Sequence, residues 1–215
     1  MHAVVALGGD AEPTHVRRAL ARAQIVIAAD GGAAHVEAAR GVCDVIVGDQ
    51  DSVPAATLDR ARAAGADIRD FPTAKDATDG ELALREALSR GATSITIVGA
   101  LGGPRVDHLL ANVGLLAHPD LRDVDAVIED AAHRIWLVGG SSAWRGAAGD
   151  CVTLLAVGGD AHGVTTQGLR YALRDGVLPH GSSLGVSNEM TDPQAEVSVA
   201  RGSVLVIHEY RRAAG

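Results

Sequence analysis

Aromatic residues are scarce in this chain: two tryptophans, two tyrosines and one phenylalanine make up 2% of 215 residues. Proteins that bind single-stranded nucleic acid stack the bases on such side chains. The net charge of −8 also opposes binding to polyanions. We therefore expect no nucleic-acid partner and no anionic membrane partner. A protein of this charge that handles phosphate groups needs metal ions or a few well-placed cations.

Cysteine is also rare: the sequence contains two, Cys43 and Cys151. They form no CxxC motif and no cysteine–histidine zinc spacing, which favours a reducing compartment. The N-terminus lacks the basic segment and apolar core of a signal peptide. Uncharged stretches such as residues 91–104 are too short and too rich in glycine to span a membrane. These features predict a cytoplasmic protein.

Apolar strand-like runs alternate with helical segments up to about residue 130. The predicted strands are residues 2–7, 24–29, 44–47, 67–71, 94–98 and 124–128. The predicted helices are residues 14–22, 33–40, 54–64, 78–90 and 105–117. Such alternation with short loops indicates an α/β domain over residues 1–130, with a mainly parallel sheet and helices on both faces.

The pattern changes near Asp130, after which turns rich in glycine, serine and aspartate separate short apolar runs. Residues 133–138, 150–157, 194–200 and 203–208 read as strands, and no convincing helix lies between them. This pattern predicts an all-β domain over residues 131–215, as a sandwich or a barrel-like sheet.

One acidic segment stands out in the first domain, at the end of a short apolar run. Val45-Ile46-Val47 leads into Gly48, followed by Asp49, Gln50, Asp51 and Ser52. In an extended backbone Asp49 and Asp51 point the same way, so both carboxylates reach one point. Mg²⁺ binds through a few carboxylates together with substrate phosphates, and it fits this pair. The alternative is that both aspartates are turn or N-cap residues.

Other predicted strands of the first domain also end in glycines and acidic residues. These exits are Asp30-Gly31-Gly32, residues 75–81 and residues 99–107. In a parallel sheet they fall on one edge, where ligands bind. Glycines let backbone N–H groups approach phosphate, and Lys75 and Arg105 can neutralise its charge. Neither a P-loop (GxxxxGK[ST]) nor a dinucleotide fingerprint (GxGxxG) is present.

Most of these residues also have a purely structural interpretation. Thr78 and Glu81 have the spacing of a capping box, and Asp79 suits the first turn of a helix electrostatically. Asp107 beside Arg105 is explained by an ordinary ion pair. On the helix that follows, the apolar spacing predicts a buried stripe, with His108 and Asn112 on another face. The stripe consists of Val106, Leu109, Leu110, Val113 and Leu116.

Taken together, the motifs resemble those of the thiamine pyrophosphokinase family, in the same order along the chain. The matching segments are Ala29-Asp30-Gly31-Gly32, Gly48-Asp49-Gln50-Asp51-Ser52, Lys75 to Leu84, Gly99 to Asn112, Gly168 to Leu173, and Ser187-Asn188-Glu189. Caps and turns explain each segment alone, but they do not explain why all occur together in this order.

The resemblance implies a diphosphoryl transfer from ATP to the hydroxyethyl oxygen of thiamine, which yields thiamine diphosphate and AMP. It also implies Mg²⁺ and a homodimer in which the α/β domain of one subunit and the β domain of the other form the thiamine site. The metal ligands would be Asp49, Asp51 and Asp79. The catalytic group would be these three with Arg105 and Asp107. The ATP site would comprise Asp30, Gly31, Gly32, Ser52, Lys75, Asp76, Thr78, Gly102, Gly103, His108 and Asn112. Thiamine would contact Tyr171, Ser187 and Asn188.

The sequence departs from the family pattern at three positions. Gln50 replaces a phenylalanine, Pro104 adds a residue before Arg105, and Tyr171 stands where tryptophan is common. Three other functions are compatible with the motifs. One is a diphosphokinase that acts on a hydroxymethylpterin-type alcohol, another is a Mg²⁺-dependent phosphohydrolase, and the last is a thiamine or nucleotide sensor without turnover.

Overall fold

The computed structural model describes residues 1–49, 53–72 and 76–211. The chain forms two compact units, Met1–Ala131 and Ala132–Gly215. Three predicted site residues, Asp51, Ser52 and Lys75, lie outside the described residues. Within the described ranges, no helix is both long enough and apolar enough to cross a membrane.

Strands and helices alternate through the first unit, as the apolar pattern predicts. The strands are β1 (His2–Ala6), β2 (Ile25–Ala29), β3 (Val45–Gly48), β4 (Asp67–Asp70), β5 (Ser94–Val98) and β6 (Asp125–Glu129). The helices are α1 (Pro13–Leu20), α2 (Gly32–Ala38), α3 (Ala55–Ala63), α4 (Asp79–Ser89) and α5 (Val106–Gly114). Short 3₁₀ turns follow α5 at Leu115–Ala117 and Pro119–Leu121.

The strands of the first unit form a parallel sheet in the order β4-β3-β2-β1-β5-β6. The chain moves outward from β1 to β4 and then returns to the other side of β1 as β5. Loops on the two sides of this switch point leave in opposite directions and open a crevice at the carboxyl ends of the strands. The fold therefore puts the ends of β1 and β5 at the expected binding edge.

Apolar residues cover both faces of this sheet, which confirms the predicted α/β architecture. On one face Val4, Val26 and Ile46 belong to a buried cluster with Val16 of α1 and Val36 of α2. On the other face α4 contacts β1, β2 and β3. The buried residues of α4 include Ala83, Leu84 and Ala87.

The predicted buried stripe of α5 is wrong for Val106 and Leu110, but Leu116 is 4% exposed in the 3₁₀ turn after the helix, as predicted. Val106 and Leu110 are 69% and 65% exposed, and α5 has no fully buried residue. Leu109 and Val113, one turn apart, are half-buried on a neighbouring side of the helix. The apolar residues of α5 have helical spacing, but they form two i,i+4 pairs on neighbouring sides of the helix. The pair of Val106 and Leu110 faces solvent, whereas the pair of Leu109 and Val113 is half-buried.

Antiparallel strands build the second unit, in agreement with the predicted all-β region. They are β7 (His133–Val138), β8 (Ser141–Arg145), β9 (Cys151–Gln167), β10 (Gly176–Leu178), β11 (Asn188–Glu189), β12 (Gln194–Ser198) and β13 (Arg201–Glu209). Their order is β7-β13-β9-β12-β8, and β10 and β11 also pair with β9.

The predicted end of β9 at residue 157 is wrong, because the strand continues to Gln167. Gly158 and Gly159, with φ angles of 74° and 146°, lie within it. Glycine adopts these angles without steric cost, so the strand bends there and continues. Residues 151–157 pair with β13, whereas residues 165–167 pair with β12. Beyond the glycine pair, His162 still pairs with Arg201 of β13, so the glycines lie at a break in the register with β13 and the strand pairs with β12 only from residue 165.

Candidate functional site

A cleft of about 300 Å³ opens at the carboxyl edge of the parallel sheet in the first unit. The loops after β1, β2 and β5 line it, together with the amino ends of α4 and α5. Predicted site residues that line this cleft are Asp30, Gly31, Thr78, Asp79, Gly102, Gly103, Arg105, His108 and Asn112. The cleft therefore brings together most of the predicted nucleotide residues that the structure describes.

The loops after β1 and β5 extend the pairing of these strands beyond their ends. Leu7 N–H donates to the Val98 carbonyl at 2.8 Å, Gly9 N–H to Gly99 at 2.7 Å, and Asp10 N–H to Leu101 at 2.8 Å. A Cβ atom on Gly9 would collide with the carbonyls of residues 99 and 101. Glycine is required here because the two backbones approach so closely.

Sequence reasoning missed the contribution of Gly8 and Gly9, which line the cleft. The signal was present, because the first predicted strand ends in Gly8-Gly9-Asp10 and the second in Asp30-Gly31-Gly32, which has the same composition in the reverse order. Gly8 lies opposite Gly31, since a Cβ built on Gly8 would be 3.7 Å from the Gly31 Cα. Glycine loops from β1, β2 and β5 thus form one continuous wall.

Close packing explains why glycine is needed at positions 102 and 32. A Cβ on Gly102, whose φ is 71°, would overlap the carboxylate of Asp10. A Cβ on Gly32 would overlap the carbonyl of Ala6, and Gly32 does not belong to the lining of the cleft. Gly32 therefore allows α2 to begin directly against β1.

Asp30 sits at the turn between β2 and α2, in the left-handed conformation with a φ of 42°. Its N–H donates to the Val47 carbonyl at 3.0 Å. Its carboxylate occupies the space into which a side chain at Gly48 would project. Gly48 thus lets the Asp30 carboxylate lie against the exit of β3, directly before Asp49.

Thr78 caps the amino end of α4, as the capping-box spacing predicts. Its Oγ1 accepts a hydrogen bond from the Glu81 N–H at 3.2 Å. Asp79 is the first residue of the helix, and both residues line the cleft. Asp76, two residues before the cap, is exposed. The cap therefore fixes the point at which the Asp79 carboxylate enters the site.

Asn112 joins the amino end of α4 to the loop after β5. Its Nδ2 donates to the Ala100 carbonyl at 3.1 Å, and its Oδ1 would be 3.2 Å from a Cβ built on Gly80. His108, one turn earlier on α5, is exposed and lines the cleft. Asn112 thus positions two walls of the cleft relative to one another.

Arg105 and Asp107 form a bidentate ion pair at the start of α5. The Arg105 Nε lies 2.9 Å from Asp107 Oδ1, and a terminal guanidinium nitrogen lies 2.6 Å from Oδ2. These hydrogen bonds hold the pKa of Asp107 well below its usual range and raise the pKa of Arg105. The side chains are 64% and 62% exposed, so solvent screens the pair.

The acidic residues suit a divalent cation. Asp30 and Asp79 line one cleft, and Gly48 leaves room for the Asp30 carboxylate beside the segment that carries Asp49. Hard oxygen donors of this kind are ligands for Mg²⁺. No group of three metal-binding side chains lies together within residues 1–49, 53–72 and 76–211. Asp51 is outside those ranges, so the predicted trio is not described as a whole.

In the second unit, Asn188 and Tyr171 lie together. Asn188 is buried and bonds to the backbone of Tyr171, whose side chain is 67% exposed. Ser187 is exposed in the left-handed conformation with a φ of 61°, and its N–H donates to Thr153 Oγ1 at 3.1 Å. The predicted thiamine contacts therefore divide into exposed side chains and a buried one.

Fold and cleft define a class: an α/β unit with a glycine-walled cleft at the switch point of a parallel sheet, followed by an antiparallel β unit. Comparison with known proteins identifies the family. Residues 16–128 match the family model "Thiamin pyrophosphokinase, catalytic domain", and residues 144–204 match "Thiamin pyrophosphokinase, vitamin B1 binding domain". The chain belongs to the thiamin pyrophosphokinase family.

Individual relatives agree with this assignment. The thiamine pyrophosphokinase of Bacillus subtilis (strain 168) is 28% identical over 162 residues, which cover 74% of this chain and 75% of the relative. A crystal structure of the thiamin pyrophosphokinase from Geobacillus thermodenitrificans matches with a TM-score of 0.84 and 25% identity, over 100% of both chains. One from Bacillus subtilis matches with a TM-score of 0.86 and 23% identity, over 99% of this chain and 100% of the other, and shows the shared fold.

Proposed function

We propose that the protein transfers the diphosphoryl group of ATP to the hydroxyl of thiamine, producing thiamine diphosphate and AMP. The thiamine oxygen forms a bond to the β-phosphorus, the bond from that phosphorus to the oxygen it shares with the α-phosphorus breaks, and the hydroxyl proton is released. Membership of the family through both domain matches carries this proposal. The glycine-walled cleft supports it, because this chemistry asks mainly for in-line positioning and charge neutralisation.

ATP is proposed to lie in the cleft of the first unit, with its phosphates along the glycine loops. Gly31, Gly102 and Gly103 have no side chain to obstruct it, and Arg105 lines the same cleft, from which its guanidinium group would meet the phosphates. Arg105 is paired with Asp107 by side-chain hydrogen bonds. Binding of phosphate would therefore compete with Asp107 for the guanidinium group.

Mg²⁺ is proposed to bind at Asp49, Asp51 and Asp79, with Asp30 beside them. When bound, the ion would neutralise phosphate charge and orient the phosphate oxygens. Gly48 leaves the space that the Asp30 carboxylate occupies, and the cap at Thr78 fixes the start of the helix at Asp79. Gly48 and Thr78 thereby fix the carboxylate oxygens of Asp30 and Asp79 at the cleft before the substrate binds.

Thiamine is proposed to contact the exposed side chains of Tyr171 and Ser187. The ring of Tyr171 offers a face for stacking or for a cation–π contact with the positively charged thiazolium. Asn188 is proposed to act through Tyr171, because its amide is occupied by backbone groups. Residues 1–130 would supply the ATP and metal site and residues 131–215 the thiamine site. We also propose a cytoplasmic homodimer with the thiamine site at its interface.

Product analysis tests the reaction. The purified protein is incubated with ATP, Mg²⁺ and thiamine, each is omitted in turn, and products are resolved by chromatography and mass. We expect AMP and thiamine diphosphate in equal amounts when all three are present. AMP without a thiamine product would indicate a phosphohydrolase, and binding without turnover would indicate a sensor. Turnover with a hydroxymethylpterin but not with thiamine would reassign the acceptor.

Mixing two inactive variants tests the shared site. Asp79→Asn removes a residue of the ATP site and Tyr171→Ala a residue of the thiamine site. If each site takes one part from each subunit, a mixed dimer has one intact site, and random mixing restores about a quarter of wild-type activity. A monomer in sedimentation, or no recovery after subunit exchange, would contradict the shared site.

A further inference from the structure

His35 on α2 makes a hydrogen bond to the main chain of the loop after β1. Its Nε2 lies 2.8 Å from the carbonyl oxygen of Gly9. A carbonyl oxygen only accepts, so Nε2 carries the proton and donates. The His35 side chain is half-buried. This bond ties α2, which begins just after Asp30 and Gly31, to the neighbouring loop.

The same imidazole lies near the loop after β5, because a Cβ built on Gly99 would be 3.5 Å from His35 Cδ2. Gly9 and Gly99 are themselves joined by the hydrogen bond from Gly9 N–H to the Gly99 carbonyl at 2.7 Å. His35 is thus bonded to one member of the loop pair, Gly9, and lies close to the other, Gly99.

Gly9, to which His35 is bonded, lines the cleft next to other lining glycines. A Cβ on Gly103 would be 3.6 Å from the Gly9 Cα, and a Cβ on Gly31 would be 3.7 Å from the Gly8 Cα. A shift of the loop at Gly8 and Gly9 would therefore change the spacing to both neighbouring loops. Small displacements of groups that position a reacting substrate have large effects on rate.

We infer that His35 is a positioning residue for the nucleotide cleft, which it organises through the Gly9 carbonyl without contacting substrate. This inference rests on the proposed function for the statement that the cleft holds ATP. Replacing a histidine with a purely structural role would lower the stability of the protein without changing the KM for ATP relative to the KM for thiamine. His35 is expected to affect ATP and not thiamine, because the loops that it holds belong to the first unit.

The experiment compares His35→Ala with His35→Gln. Alanine removes the donor, whereas the glutamine amide can place an N–H at a similar reach. We expect His35→Ala to raise the KM for ATP about tenfold, the equivalent of one hydrogen bond. The KM for thiamine should stay within about twofold of wild type, and His35→Gln should recover most of the loss.

His2→Ala is the matched control. His2 is also a half-buried histidine of the first unit, and its Nδ1 lies 2.9 Å from Ser94 Oγ. It belongs to the amino end of β1, at the opposite end of the strand from Gly9. His2→Ala should therefore leave the KM for ATP unchanged, even if it lowers the melting temperature.

Hydrogen exchange provides a readout that does not depend on turnover. His35→Ala should accelerate exchange of the Gly9 and Asp10 amides, whereas His2→Ala and His35→Gln should not. Unchanged exchange at these amides, or equal changes in the KM values for both substrates, would overturn the inference while leaving diphosphoryl transfer intact. A wild-type protein that neither binds nor turns over ATP would overturn both.

Discussion

The amide of Asn188 forms reciprocal hydrogen bonds with the main chain of Tyr171. Its Nδ2 donates to the Tyr171 carbonyl at 2.8 Å, and its Oδ1 accepts from the Tyr171 N–H at 3.0 Å. The same Oδ1 accepts from the Glu189 N–H at 2.9 Å. A buried side chain thus fixes the backbone from which the exposed tyrosine ring projects.

Replacing Asn188 should impair thiamine binding through Tyr171. Asn188→Ala leaves backbone groups of Tyr171 without these partners, so we expect a loss of about 2–3 kcal/mol in unfolding free energy. The KM for thiamine should rise while the KM for ATP remains unchanged. Ser142→Ala is the control, because it removes a half-buried partner of Trp136 Nε1 elsewhere in the second unit and should leave both KM values unchanged. Equal effects on both KM values would contradict the assignment.

Asp30 and Asp79 should be needed for turnover and not for folding. Asparagine keeps the shape of each side chain but removes the charge that would bind Mg²⁺, so we expect kcat to fall by at least about 100-fold. Asp79→Asn should cost about 0.5 kcal/mol in stability, because a carboxylate favours the amino end of α4. Circular dichroism and kinetics over a range of Mg²⁺ concentrations check this.

Asp59→Asn is the comparison for those variants. Asp59 forms an exposed ion pair with Arg62 on α3 and does not belong to the lining of the cleft. It should retain wild-type kcat and the wild-type dependence on Mg²⁺. A folded Asp30→Asn or Asp79→Asn protein with full activity would remove that residue from the proposed metal site.

Asp107 should not produce a titration of activity near neutral pH. Hydrogen bonds from Arg105 lower the pKa of Asp107, so it is ionised throughout pH 5–9. The family resemblance implies that Asp107 activates or orients the thiamine hydroxyl. A carboxylate with so low a pKa is a weak proton acceptor, which favours orientation over proton removal. Asp107→Asn should therefore lower kcat without changing the shape of its pH profile between pH 5 and 9.

The Arg105→Ala variant tests whether the guanidinium group is what lowers the pKa of Asp107. Without the guanidinium group, the pKa of Asp107 should rise toward its usual range, which carboxyl NMR titration measures. The melting temperature should hardly change, because both side chains are exposed. An Asp107 pKa that stays low in Arg105→Ala would show that another group depresses it.

Local chemistry made much of the site predictable from the sequence. Strand exits rich in glycine and aspartate converge because parallel strands end at one edge, and Thr78 caps α4 because of its spacing from Glu81. Tertiary context decided the rest. The Gly158–Gly159 pair has the composition of a turn, yet pairing on both sides keeps β9 continuous. Helical spacing placed Val106 in an apolar stripe but could not specify what covers it.

The buried pair of Asp150 and His208 should stabilise the second unit in a pH-dependent manner. His208 Nε2 lies 2.8 Å from Asp150 Oδ2, and the side chains are 1% and 4% exposed. Burial raises the pKa of Asp150, but hydrogen bonds from the N–H groups of Arg211 and Ala147 and from His208 outweigh it and lower the pKa overall. The carboxylate therefore stabilises the fold when it is ionised.

The sign of the effect follows from the lowered pKa. Stabilisation is complete above the unfolded pKa of Asp150 and is lost as the pH falls through the lower folded pKa. Asp150→Asn should cost about 2–3 kcal/mol at pH 7, and the difference from wild type should narrow below about pH 4. Urea unfolding followed by tryptophan fluorescence measures this in the second unit, since Trp136 and Trp144 both lie there.

Asp192→Asn, an exposed acid in the same unit that bonds to Thr191, should change the unfolding free energy little at either pH. A difference for Asp150→Asn that stays constant from pH 7 to pH 3 would contradict the ionised role of Asp150.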